Sequence, residues 1–228
     1  MSSGRKLDFY GTRPSAKKSP TLKYALVVGA AFILTLLFLS GFGGRKPGSS
    51  ASGANPFPEY TDNGTRISFV EFSDFECPYC ARIQSAISLL KTEYSGRVNF
   101  VFKHFPVHGA TAQKAAEATE CARDQALFEK YHLRLFENQQ SFSAAKLTEL
   151  AASVGADSAR FFSCLDSGEK ASVVSADYNK GLSVGIQATP TFFVNGAKIE
   201  GAVDISVFRK AIEAALAETP EAGNSAAP

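Results

Sequence analysis

Neither sign of charge dominates the chain: 24 Lys and Arg stand against 22 Asp and Glu, a formal net charge of +2. No basic surface of the kind that attracts polyanions is implied, so no nucleic-acid partner is predicted. Cysteine is scarce, at four in 228 residues, and only Cys77 and Cys80 lie close together. A structural zinc site needs a second close pair or accompanying histidines, so the pair does not read as half a zinc knuckle, and no metal or cofactor is expected. Charge is missing altogether between Lys23 and Arg45, a run of 21 residues rich in Leu, Val, Ala, Phe and Ile. No cysteine lies near the end of that run, so lipoprotein processing is not indicated.

That uncharged run is long enough to cross a bilayer as one helix, and a signal-anchor helix is predicted over residues 24–42. The competing reading is a cleaved signal peptide, for which Ala51-Ser52-Gly53 would serve as the cut site; the length of the run favours an anchor. Residues 1–23 carry Arg5, Lys6, Arg13, Lys17, Lys18 and Lys23 against Asp8 alone. They read as a disordered basic tail left on the cytoplasmic side, which puts the remainder on the periplasmic or extracellular side. Residues 43–55 are Gly, Ser, Ala and Pro with little else, the composition of a flexible linker.

The informative stretch follows. Ile67, Phe69, Val70 and Phe72 make a short apolar run of strand formers, and Ile83, Ile87 and Leu90 recur at helical spacing. Cys77-Pro78-Tyr79-Cys80 therefore sits at a strand-to-helix junction, with Pro78 suited to the first helical turn. A thiolate on Cys77 would meet unpaired N–H groups and the positive end of the helix dipole, which lowers its pKa. Cys80, one turn deeper, is placed to close a disulfide with it. Val98 to His104 reads as a central, mostly buried strand parallel to the first.

From Ala110 the period is helical for about seventy residues, too long for a simple connection, so an inserted helical subdomain is expected over about 109–180. Ala118, Cys121, Ala122, Phe128, Tyr131 and Leu135 fall on one face; Leu147 to Val154, Phe161 to Leu165 and Glu169 to Ile186 continue the pattern. In an oxidising compartment Cys121 and Cys164 should be bridged, the alternatives being two buried thiols or a second redox pair. A hairpin turning at Asn195-Gly196 and a last helix capped by Asp204, carrying Ile205, Phe208, Ile212 and Leu216, complete the domain. Residues 219–228 read as a frayed tail.

Phe-Glu-Cys-Pro-Tyr-Cys, taken with Ala188-Thr189-Pro190-Thr191-Phe192-Phe193-Val194-Asn195-Gly196, resembles the active-site motif and the cis-proline loop of DsbA-like thiol-disulfide oxidoreductases of the thioredoxin superfamily. The resemblance covers about residues 56–216. It implies an α/β thioredoxin fold with a helical insertion, placed at 56–218, and Glu71 as the buried carboxylate that the superfamily carries beneath the redox pair. It also implies a cis Pro190 that brings the Thr189 backbone beside Cys77 and lets a peptide pair as an added strand. The Pro78-Tyr79 dipeptide departs towards the glutaredoxin pattern. Phe75 and Tyr79 are candidates for apolar substrate contact or, equally, for packing. His104 and His108, bracketing Phe105-Pro106, read as structural or exposed more readily than as metal ligands.

The implied activity is dithiol oxidation of exported cysteine-containing polypeptides by a membrane-tethered monomer, reoxidised by a quinone-linked membrane thiol oxidase. The linker has no room for the dimerisation domain typical of the isomerase branch. A reductase or isomerase of the same fold is the first alternative. A peptide-binding chaperone with merely structural cysteines is the second.

Overall fold

The structure, a computed structural model, describes residues 55–57, 67–139 and 142–218. All of these fall in a unit spanning Ser52–Pro228. The expected basic tail, membrane helix, most of the linker and the frayed end lie outside the described residues. No described helix is long and apolar enough to cross a membrane.

Seven helices and four strands are described, in the order β1 (Ile67–Ser73), α1 (Pro78–Glu93), β2 (Val98–His104), α2 (Ala110–Arg123), α3 (Phe128–Glu137), α4 (Ala144–Ser153), α5 (Ser158–Ser167), α6 (Ala171–Ser183), β3 (Thr191–Val194), β4 (Ala197–Glu200) and α7 (Ile205–Glu218). The strands form one sheet in the order β2-β1-β3-β4. β1 pairs parallel with β2, as the helical crossover α1 requires, and antiparallel with β3. This is a mixed α/β thioredoxin-like fold with a helical insertion between β2 and β3.

Every residue of β1 is buried, and alternation along it divides the core. Ile67 and Phe69 join Ile83, Ile87 and Leu90 of α1 and Phe208 and Ile212 of α7 in one cluster. Val70 and Phe72 point the other way, to Phe57, Phe105, Ile186 and Phe193. That second layer depends on a missing side chain. A Cβ on Gly181 of α6 would stand 2.6 Å from the Phe105 ring, so only glycine lets α6 seat this closely.

Two expectations change. β2 is not central: among the described residues it lies at an edge, and its middle residues are only half buried. Apolar residues on both faces of a strand signal covered faces, not a paired second edge, so the run alone did not distinguish the two positions. The face running from Ala118 to Leu135 also belongs to two helices. The chain turns between α2 and α3, with Ala126 at φ 61° and Leu127 N–H returning to the Ala122 carbonyl at 3.0 Å. Apart from Phe128, the residues of that face still converge on one cluster, which explains why their spacing read as continuous.

The last hairpin turns at Asn195 and Gly196, both at positive φ, as a tight turn of this kind requires. Asp204 accepts from Ser206 N–H at 2.9 Å, the expected cap of α7. Cys121 and Cys164 are bridged, joining α2 to α5 across 43 positions of sequence.

Candidate active site

β1 ends at Ser73, and the next turn carries Cys77 to the N-cap position of α1 with Pro78 at the first helical position. The Cys80 and Ala81 N–H groups close onto the Cys77 carbonyl at 3.1 and 3.2 Å, so the first helical turn begins at the sulfur-bearing residue. Both cysteines are free thiols here; Cys77 is 3% exposed and Cys80 fully buried.

The Cys77 pKa is drawn down to about 5. The largest cause is the hydrogen bond from the Cys80 thiol; burial opposes it, while the Thr189 side chain and the backbone N–H groups of Cys80 and Tyr79 favour the anion. Cys80 moves the opposite way, pushed far up by its burial and by the neighbouring Cys77 sulfur. One sulfur is thus an anion near neutrality and the other holds its proton.

The Thr189-Pro190 peptide bond is cis. Cys77 Sγ lies 3.4 Å from the Thr189 carbonyl oxygen, a contact that serves the protonated sulfur. The loop is pinned by Thr191 Oγ1 donating to the Ala188 carbonyl at 2.7 Å and by Gly201 N–H donating to the Pro190 carbonyl at 2.8 Å. The strand-helix junction and the proline loop are 112 residues apart in sequence. The β1–β3 pairing brings them together.

Glu71 is 4% exposed on β1, its pKa raised to about 7 chiefly by burial. Gln84 Nε2 donates to Glu71 Oε1 at 2.8 Å and to the Cys80 carbonyl at 3.1 Å, tying the carboxyl to the helix that carries the redox pair. His132 Nε2 lies 3.0 Å from Gln84 Oε1. Burial holds that imidazole down to about 3, so it stays neutral.

Tyr79 is 55% exposed beside Cys77, its ring 4.5 Å from the Arg82 guanidinium carbon. Phe75 does not share that surface. It is 1% exposed and packs on Phe102, His132 and Phe136, so the expected substrate contact is corrected to a core role. His104 is buried against Glu120 at 2.8 Å, while His108 is partly exposed and lies 2.8 Å from Asp74, whose carboxylate raises its pKa. Both histidines are tied to carboxylates.

Four supporting residues escaped the sequence reading. Asp74 has a fully buried carboxylate that accepts from the Glu76, Val107 and His108 N–H groups, clamping the turn before Cys77 to the loop after β2. Gln139, just past α3, donates to the Phe75 and Cys77 carbonyls at 2.8 Å each. Gln84 was detectable as a polar residue four positions after Cys80 on an otherwise apolar helix face. Ser73 was detectable as the residue two beyond Glu71 on the same strand face. Gln139 left no such signal, because its partners are distant backbone groups, and Asp74 showed only its local bond to Glu76 N–H, not the loop after β2 that it clamps.

A buried dithiol at a helix N-terminus, one sulfur ionised and the other protonated, facing a cis-proline loop on a thioredoxin-like sheet, defines a thiol-disulfide exchange site. A family model described as Thioredoxin matches residues 62–214. The chain belongs to that family, is DsbA-like within the thioredoxin superfamily, and is a protein disulfide oxidoreductase. The structure of BdbD from Bacillus subtilis in its oxidised form is 30% identical, covers 68% of this chain and 90% of its own, and superposes with a TM-score of 0.63. The thiol-disulfide exchange protein α-DsbA2 from Wolbachia pipientis shares the fold at 20% identity, with 70% and 93% coverage and a TM-score of 0.62. Among curated proteins, Na(+)/H(+) antiporter NhaA 3 of Salinispora tropica is 33% identical over 162 residues, 69% of this chain. The chain spans about a quarter of the length of such relatives. A match of that extent carries no transport activity across.

Proposed function

We propose that this chain is a dithiol oxidase that passes the Cys77–Cys80 disulfide to exported, cysteine-containing polypeptides. A substrate thiolate attacks the Cys77 sulfur, the internal disulfide breaks, and Cys80 leaves as a thiolate that takes up a proton. A second substrate thiolate then attacks the substrate sulfur of the mixed disulfide. The substrate disulfide forms, Cys77 departs as a thiolate, and two electrons have moved from substrate to enzyme.

The observation that carries this reading is the place of Cys77, at the N-cap of α1 beside the Cys80 thiol and the Thr189 loop, which draws its pKa down to about 5. A stabilised thiolate stabilises the reduced enzyme against its own disulfide, which makes that disulfide oxidising. Three features support it. The Cys121–Cys164 bridge suits an oxidising compartment. The Thr189-Pro190 loop beside Cys77 suits pairing with an extended substrate, and exposed Tyr79 suits contact with it. Glu71, poised near neutrality, suits proton exchange with Cys80.

Residues 24–42 anchor the enzyme with its redox domain outside the membrane, and a quinone-linked membrane thiol oxidase restores the disulfide. A glutathione redox titration tests the direction of electron flow. The oxidase requires a potential towards about −120 mV; one near about −270 mV, the thioredoxin end of the range, means a reductase.

A further inference from the structure

Thiol-disulfide exchange at Cys77 makes Cys80 gain or lose a proton in every turnover. That sulfur is fully buried. Its proton has no direct path to water, least of all while a substrate covers the Cys77 side.

Ser73 is the polar group next to this problem. It is 1% exposed, and among the described residues its buried Oγ makes no hydrogen bond of ordinary geometry. An orphaned buried hydroxyl costs stability and calls for a reason. Ser73 lies two residues beyond Glu71 on β1, so both side chains project to the face covered by α1, while Phe72 between them enters the opposite layer. Its place is fixed from both sides: the Ser73 carbonyl accepts from Phe105 N–H at 2.8 Å, and its backbone pairs in register with His104. Gln84 spans Glu71 and the Cys80 backbone, tying the carboxyl to the helix that carries the thiol. The Ser73 side chain favours the charged form of both Glu71 and Cys80, so it faces each.

We propose that the Ser73 hydroxyl relays the proton between the Cys80 sulfur and the Glu71 carboxyl. When Cys80 leaves as a thiolate, Ser73 O–H gives it a proton and takes one from protonated Glu71; when Cys80 must attack, both transfers reverse. No hydrogen is gained or lost overall. Glu71 meets solvent elsewhere, for it also lines a cavity of about 430 Å³ together with Lys91, Phe102, Glu129 and His132. The Lys91–Glu129 ion pair stands at the exposed rim of that cavity. Glu71 is thus a carboxyl with the thiol on one side and a route to water on the other.

The relay rests on the exchange reaction proposed above, and the two fail separately. In single-turnover oxidation of a dithiol peptide by the full-length disulfide form, Ser73→Ala should slow the step in which Cys80 changes protonation by about tenfold. It should also shrink the solvent isotope effect on that step, while the Cys77 alkylation profile stays in place. Ser73→Thr, which keeps the hydroxyl, should restore the rate. Ser73→Ala combined with Glu71→Gln should be no slower than Glu71→Gln alone, because both cut one path. Additive losses, or a Ser73→Ala rate within twofold of the parent, overturn the relay and leave Ser73 as a packing residue. A Cys80→Ser variant that forms no Cys77-linked adduct overturns the exchange reaction instead.

Discussion

The chain holds two pairs of cysteines whose chemistry differs in almost every respect, although burial scarcely separates them. Cys77 and Cys80 are buried, and so is Cys121. Cys77 caps a helix N-terminus and faces the Thr189 loop, where the Cys80 thiol first, then the Thr189 side chain and backbone N–H groups, favour the anion. Cys121 lies within α2 and Cys164 within α5, packed in one cluster with Tyr131, Leu147, Phe161 and Leu165. In the proposed reaction the first pair cycles, while the second stays bridged. The neighbouring thiol, the Thr189 side chain and the N–H groups around Cys77 decide which, not depth.

The largest effect should come from removing the cycling sulfur. Cys77→Ser should reduce disulfide exchange with a dithiol peptide by on the order of 10³-fold, and Cys80→Ser should accumulate adducts on Cys77. Full cellular activity of Cys77→Ser would favour the chaperone reading and end the contrast between the pairs. Replacing the holding pair by alanine should instead leave exchange intact while lowering stability by about 4 kcal/mol, read from urea unfolding of the oxidised parent and the variant. Loss of exchange without loss of stability would reverse the assignment.

Smaller effects sharpen the electrostatic side. Glu71 has a raised folded-state pKa of about 7, so as pH climbs from about 4.5 to 7 the unfolded chain releases a proton the native state keeps, and stability falls. Glu71→Gln should relieve up to about 3 kcal/mol above pH 7 and almost nothing below pH 4.5, measured by denaturant titration at both pH values. Gly181→Ala should cost about 1–3 kcal/mol by pressing into the Phe105 ring, with the redox pair unaffected. For Cys77 the sign is opposite to Glu71: its folded-state pKa is depressed, so the stabilisation is complete above the ordinary thiol pKa near 9 and disappears as pH falls through about 5. Iodoacetamide alkylation should accordingly reach half its plateau rate near pH 5. A midpoint near 8 would leave the two pairs electrostatically alike.

Local order carried much of this into the sequence. Pro78 after Cys77, the alternation of β1, the Asn195-Gly196 turn and the Asp204 cap each act within a few residues, so their physics is legible without a fold. The parallel pairing of β1 and β2 followed from the helix between them. What local spacing missed was set at a distance: the edge position of β2, the break at Ala126, the inward turn of Phe75 and the Asp74 and Gln139 clamps.

By itself the sequence determined which sulfur would meet a helix end, because a strand, a short turn and Pro78 lie in adjacent residues and helix-start chemistry is local. Only the tertiary structure decided what surrounds that sulfur. The Thr189 loop reaches Cys77 through β1–β3 pairing, and Gln84 meets Glu71 through the packing of α1 on the sheet. Contacts between residues distant in the chain exist only once the core has closed around them.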